Sequence, residues 1–204
     1  EIGGRAGDDV DHPGRHVGHP SLSSDGNRIY YTVCEYTDRF KVHCDIYYRD
    51  RTTDGRWGDA VYAPFNDPDS TNTMPSVVYE ELGNPRNETI YFVSNRAPGD
   101  TGLDIYFVTR NGENFSPPQM LDRTINTNAD EVSPYYASRE RALYFSTNFT
   151  SVARPSVGGF DIYKSRGFPG NWGEPEPLAY PNNTSYDDIY FSLTEDEKTA
   201  YLAS

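Results

Sequence analysis

Carboxylates offer this 204-residue chain its widest scope for chemistry: 31 Asp and Glu stand against 18 Lys and Arg, for a net charge of −13. They fall into two sets. Asp45, Asp104 and Asp161 each precede an apolar-aromatic run, in CDIYYRDR, LDIYFVTR and FDIYKSRG. Asp69, Asp130, Glu131, Asp187 and Asp188 lie in the polar stretches NDPDSTNT, NTNADE and NNTSYDD. A carboxylate in such places can accept backbone N–H groups and pin a turn. It can attract a cation or a basic segment. Two of them at the right separation can cleave a glycosidic bond. The Asp before Ile-Tyr recurs in every unit, as a fold requirement would, whereas active sites usually break symmetry. Its expected role is therefore to accept backbone N–H groups of the preceding loop.

The elements that carry these acids repeat. The Asp-Ile-Tyr spacings are 59 and 57 residues. A closing aromatic after a Gly-containing turn, at Trp57, Phe115 and Trp172, recurs at 58 and 57. Pro20, Pro75 and Pro134 open the units, and Tyr30, Tyr91, Tyr144 and Tyr201 mark a second strand. Each unit thus holds four short strands, a to d. Strands b and c are apolar on both faces, so both faces of their sheet must be covered. Four-stranded sheets stacked around an axis meet that need. The expected fold is an all-β propeller of four-stranded antiparallel blades. Residues 1–18 form a connector or insertion, and repeats cover approximately 19–73, 74–132, 133–187 and a partial 188–204. Since propellers carry about 4–8 blades, these units are expected to belong to a larger ring.

The pattern PSLSSDG…IYY, then DIY, then a Trp-containing turn, then Ile125-Asn126 and Asp130-Glu131, resembles the TolB-type, WD40-like propeller repeats. It is most similar to those found beside OmpA-like peptidoglycan-binding domains in Gram-negative envelope proteins. That resemblance implies a periplasmic or outer-membrane-associated setting, with cell-wall or outer-membrane components among its partners. It also implies a partner segment received at the channel. Strand order puts the d–a and b–c loops on one face. Asp69, Asp130, Glu131, Asp187 and Asp188, with Arg96 and Arg154 on the b–c loops, make the expected binding surface for a protein or peptide. A calcium ion is a further ligand that such a mouth could hold; no cofactor is called for.

Aligned on the repeat, Cys34 ends strand b and Cys44 begins strand c of one hairpin, which fits a single disulfide in an oxidising compartment. Closing so small a loop contributes roughly 2–3 kcal/mol. His12, His16 and His19 could hold zinc, but Pro13, Gly14 and Gly18 exclude a helix that would align them, and an inserted loop is expected. The negative charge disfavours nucleic acid, and no apolar run approaches the ~20 residues of a membrane span. No nucleophile elbow or phosphate loop is present. The function expected is a non-enzymatic binding or scaffolding module; the alternative is a glycoside hydrolase or lyase using axial carboxylates.

Overall fold

The computed structural model describes residues 15–38, 41–78, 87–99, 102–194 and 196–204. All described regular structure is β, in antiparallel ladders that follow chain order. Blade 1 contains β1 (Arg15–Leu22), β2 (Arg28–Asp38), β3 (Lys41–Asp50) and β4 (Val61–Tyr62). Blade 2 contains β5 (Asn72–Val77), β6 (Asn87–Ser94), β7 (Asp104–Asn111) and an outer strand in two pieces, β8 (Asn114–Phe115) and β9 (Gln119–Met120). Blade 3 repeats this with β10 (Glu131–Ala137), β11 (Ala142–Thr147), β12 (Asp161–Phe168), β13 (Asn171–Trp172) and β14 (Glu176–Pro177). A further pair, β15 (Ile189–Leu193) and β16 (Ala200–Ala203), follows. The architecture is that of a β-propeller.

The double-sided apolar pattern explains the stacking. Along β6, Ile90 and Phe92 join Tyr30, Ile46 and Phe65 of blade 1 in one core. Tyr91 and Val93, on the opposite face, join Leu143, Phe145 and Tyr163 of blade 3 in another. Each fully buried side chain of this size contributes roughly 1.5–3 kcal/mol. The closing aromatics behave less uniformly. Phe115 packs on Phe65 at 5.4 Å between ring centroids, and Trp172 meets Tyr136 edge-on at 6.2 Å. Trp57, on blade 1, instead lies under the Arg51 guanidinium.

Every inner strand carries a bulge at the same place. The bulged residues His19, Met74, Ser133 and Tyr190 have φ of 51°, 52°, 53° and 58°, in the left-handed region. Such φ values are uncommon outside glycine. The next residue is Pro20, Pro75, Pro134 or Phe191. A proline has no N–H to lose from a ladder, so a bulge accommodates it. This is the physical meaning of the recurring Pro.

β1 begins at Arg15, so the boundary at residue 18 is corrected: Arg15–Gly18 are inner-strand residues, not connector. His16 and His19 are likewise in a strand rather than an inserted loop, and His12 lies outside the described residues. His19 Nε2 lies 2.9 Å from the Tyr190 hydroxyl, linking the first and last inner strands. Cys34 and Cys44 face each other across β2 and β3 and form a disulfide, which is compatible with an oxidising compartment. No helix among the described residues is long and apolar enough to cross a membrane.

Candidate functional site at the junction of blades 2 and 3

Each blade is tied to its outgoing d–a loop by one asparagine. Asn126 Oδ1 accepts the Ile105 N–H, while its Nδ2 donates to the carbonyls of Ile105 and Leu121. Asn183 repeats these bonds with Ile162 and Leu178, and Asn66 repeats the pair with Ile46. A planar amide is suited to this because it offers an acceptor and two donors at once.

The acid after the asparagine pins the b–c loop. Asp130 Oδ1 accepts the Leu103 N–H at 2.8 Å, and Asp187 Oδ1 accepts that of Phe160 at 3.0 Å. Glycine precedes each partner because a Cβ at Gly102 or Gly159 would stand 2.6 or 2.1 Å from the same carboxylate oxygens. The Asp-Ile-Tyr acids differ from copy to copy. Asp161 Oδ2 accepts the Val157 and Gly158 N–H groups and the Ser156 hydroxyl. Asp45 accepts from the Tyr62 hydroxyl and Asn72 Nδ2 and lies 3.2 Å from His43 Nε2. Asp104 is fully buried, and its charge acts on Glu131.

Glu131 and Asp188 are 0% exposed, so the expectation that they offer carboxylates to a partner at an open mouth is corrected. Glu131 Oε2 accepts the Thr127 N–H at 2.8 Å; Oε1 accepts the Thr127 and Thr147 hydroxyls at 2.6 and 2.8 Å. Burial nevertheless dominates these three donors and raises the pKa to about 7, with the Asp104 charge pushing the same way. Arg96 and Arg154 are also not free basic groups. Arg154 is buried and donates to the carbonyls of Thr124 and Ile125; Arg96 donates to the Phe65 carbonyl, Ser94 and Asn72. Asp69 stays exposed on its loop.

One open cleft of about 400 Å³ remains where the blade 2–3 d–a loop meets the long b–c loop of blade 3. Arg123, Thr127 and Asn128 form one wall; Phe149 and Arg154 form the other, with Glu174 at the rim. Arg123 Nη1 donates to the Thr127 carbonyl, and Arg154 Nε lies 3.6 Å from the exposed Glu174 carboxylate. No group of three or more metal-ligating side chains occurs among the described residues. Sequence reading missed the cleft because Phe149 has no aromatic counterpart in the first two units, and because Glu174, although it aligns with Asp59 after the closing Trp, lies outside the d–a loops from which the acids were drawn. It also missed the threonines, although Asn126-Thr127 before Glu131 and Asn183-Thr184 before Asp188 repeat at one spacing.

No family model and no curated protein matches the chain. Among solved structures it is similar to the GH43 endo-arabinanase from Bacillus licheniformis, at 12% identity over 91% of each chain and a TM-score of 0.34. A likeness that remote transfers no activity. Of the residues expected to form a protein-docking face, all but Asp69 are engaged within the chain. The expectation of a non-enzymatic scaffold built on that face is corrected on this ground.

Proposed function

We propose that the chain is a carbohydrate-active propeller and that the cleft between blades 2 and 3 receives the glycan. The observation that carries this reading is the composition of the cleft: one aromatic ring, one exposed carboxylate, two guanidiniums and amide and hydroxyl groups around about 400 Å³. Ligand sites of this kind combine an apolar surface with a few fixed polar groups. The Phe149 ring suits the C–H face of a sugar. Asn128, Arg123 and Glu174 suit its hydroxyls. The buried acids do not serve here, because Glu131, Asp188, Asp104 and Asp161 are all closed to solvent. Glu174 is the carboxylate lining the cleft, and in hydrolysis its carboxyl gives a proton to the leaving sugar oxygen while water adds to the anomeric carbon and releases a proton to solvent. The disulfide supports a compartment outside the reducing cytosol, and we place the chain in a periplasm or at a cell surface.

A panel of soluble polysaccharides and oligosaccharides, with calorimetry for binding and reducing-end release for cleavage, tests the reading. Phe149→Ala should weaken binding about tenfold or more, and Glu174→Gln should abolish release while leaving binding measurable. A panel with no binder, or affinity unaffected by Phe149→Ala, would sink it.

A further inference from the structure

The two walls of the cleft belong to different segments, yet one buried group holds both. The Thr127 hydroxyl donates to Glu131 Oε1 and accepts the Ala129 N–H at 3.1 Å. The Thr147 hydroxyl donates to the same oxygen and accepts the Phe149 N–H at 3.0 Å. Thr127 also donates its own N–H to Oε2. Each hydroxyl has one hydrogen and has committed it to the carboxylate, which leaves its lone pairs for the backbone amide. The d–a wall and the Phe149 wall therefore meet at one carboxylate.

We propose that Glu131 is the positioning residue of the cleft, coupling its two walls through Thr127 and Thr147 so that the charge state of this one carboxylate sets the cleft's shape. Ionised, Glu131 accepts all three hydrogens. Protonated, it keeps lone pairs for the three hydrogens but accepts them more weakly, because a neutral carboxyl is a poorer acceptor than a carboxylate, and the hold on both threonines loosens. The ordered cleft is the ionised form. Burial places the transition near neutral pH. Among the described residues, Asp104 on β7 is a charged group facing Glu131. Asp130 is turned to Leu103 and Asn148; Arg123 and Arg154 are turned to carbonyls. Asn72 supplies an internal control. It holds the same position between blades 1 and 2, where its Oδ1 accepts the Asp67 N–H and the Ser94 hydroxyl, and an amide does not ionise in this range.

This inference deepens the carbohydrate reading but is tested apart from it. Amide resonances of the ¹⁵N-labelled chain are followed from pH 5.5 to 8.5. The Thr127 and Phe149 amides should move together with one midpoint near 7, while Asp67 should not follow them. Glu131→Gln should flatten both curves. Thr147→Val should silence Phe149 and leave Thr127 titrating, which separates coupling through the hydroxyl from a field effect of the charge. Persistence of both titrations in Glu131→Gln, or of the Phe149 titration in Thr147→Val, overturns the proposal. If a sugar binds, its affinity should rise about fivefold or more through the same midpoint. If none binds while the shared titration stands, the carbohydrate reading fails and the coupling survives.

Discussion

The junction between blades 1 and 2 and the junction between blades 2 and 3 share one plan with different residues at three points. Asn72 stands at the first where Glu131 stands at the second. Arg96 comes two residues after strand b at the first, and its guanidinium lies 5.1 Å from the centre of the Phe92 ring and 5.2 Å from that of Tyr106. At the second, Phe149 takes that place, and the basic group is Arg154, five residues on. The first junction is thus capped by a cation over aromatic rings and carries an amide that cannot titrate. The second leaves a cleft and carries a buried acid. A repeated backbone has been kept, and chemistry has been placed in the positions that the backbone leaves free.

The largest effect expected concerns what the junctions share. Asn126→Ala strands two buried backbone groups of Ile105 and one of Leu121, for a loss of about 3–4 kcal/mol. The half-buried Asn66 should cost less, because water can reach the groups it leaves. Chemical denaturation of the two variants measures the difference; equal losses would mean that burial does not decide the cost.

Next comes pH. A carboxyl group whose folded pKa is raised binds its proton more tightly when folded than when unfolded. Its contribution to stability is therefore complete below the unfolded pKa near 4.5 and is lost as pH rises towards about 7. That loss amounts to roughly 3 kcal/mol. Glu131→Gln should remove this part of the pH slope. Asn72→Asp should sharpen the comparison by adding no such slope at the first junction, because the Arg96 guanidinium donates to that position and favours the charged form. A wild-type chain equally stable at pH 5 and pH 7.5, apart from its other titrating groups, would contradict the assignment.

Breaking the Cys34–Cys44 bridge with a double serine variant should cost about 2–3 kcal/mol, read as a lower melting temperature. Arg154→Ala should follow at about 2 kcal/mol, since two loop carbonyls lose a charged donor. Arg96→Ala should cost a similar amount, with its loss divided between hydrogen bonds and ring contact.

Repeat length, strand order and the two-faced apolar pattern were legible in the residues because stacking blades requires apolar side chains at fixed intervals. The disulfide was legible once Cys34 and Cys44 were aligned to one hairpin. The loop residues were not. Asp130 and Glu131 are neighbours of equal charge, yet one carboxylate reaches Leu103 at the loop surface and the other is buried against Thr147. Alternation along an extended strand separates them, and the bulge that sets its phase leaves no mark beyond a proline. Arg154 looked like a ligand for a partner because its target carbonyls lie about 30 residues earlier in the chain. Composition reports the charge a loop carries, not how much of it the loop's own backbone takes up.

The smallest effect separates two acids that sequence alone could not rank. Asp69 and Asp130 both occupy d–a loops. Asp69 is exposed and is held by its backbone N–H, which Asp67 Oδ1 accepts at 3.0 Å. Asp130 uses its carboxylate to accept the Leu103 N–H and an Asn148 N–H. Asp69→Ala should leave stability within about 0.5 kcal/mol of the parent, because no backbone group depends on its side chain. Asp130→Ala should cost about 1–2 kcal/mol, because the Leu103 amide must then find water at a loop end that Gly102 holds tightly against Ala129. Hydrogen exchange at the Leu103 amide gives the decisive reading. It should accelerate at least tenfold in Asp130→Ala and stay unchanged in Asp69→Ala. Acceleration in both would mean that the loops rely on their summed negative charge rather than on one bond, and the distinction drawn between the two junctions would then have to rest on Glu131 alone.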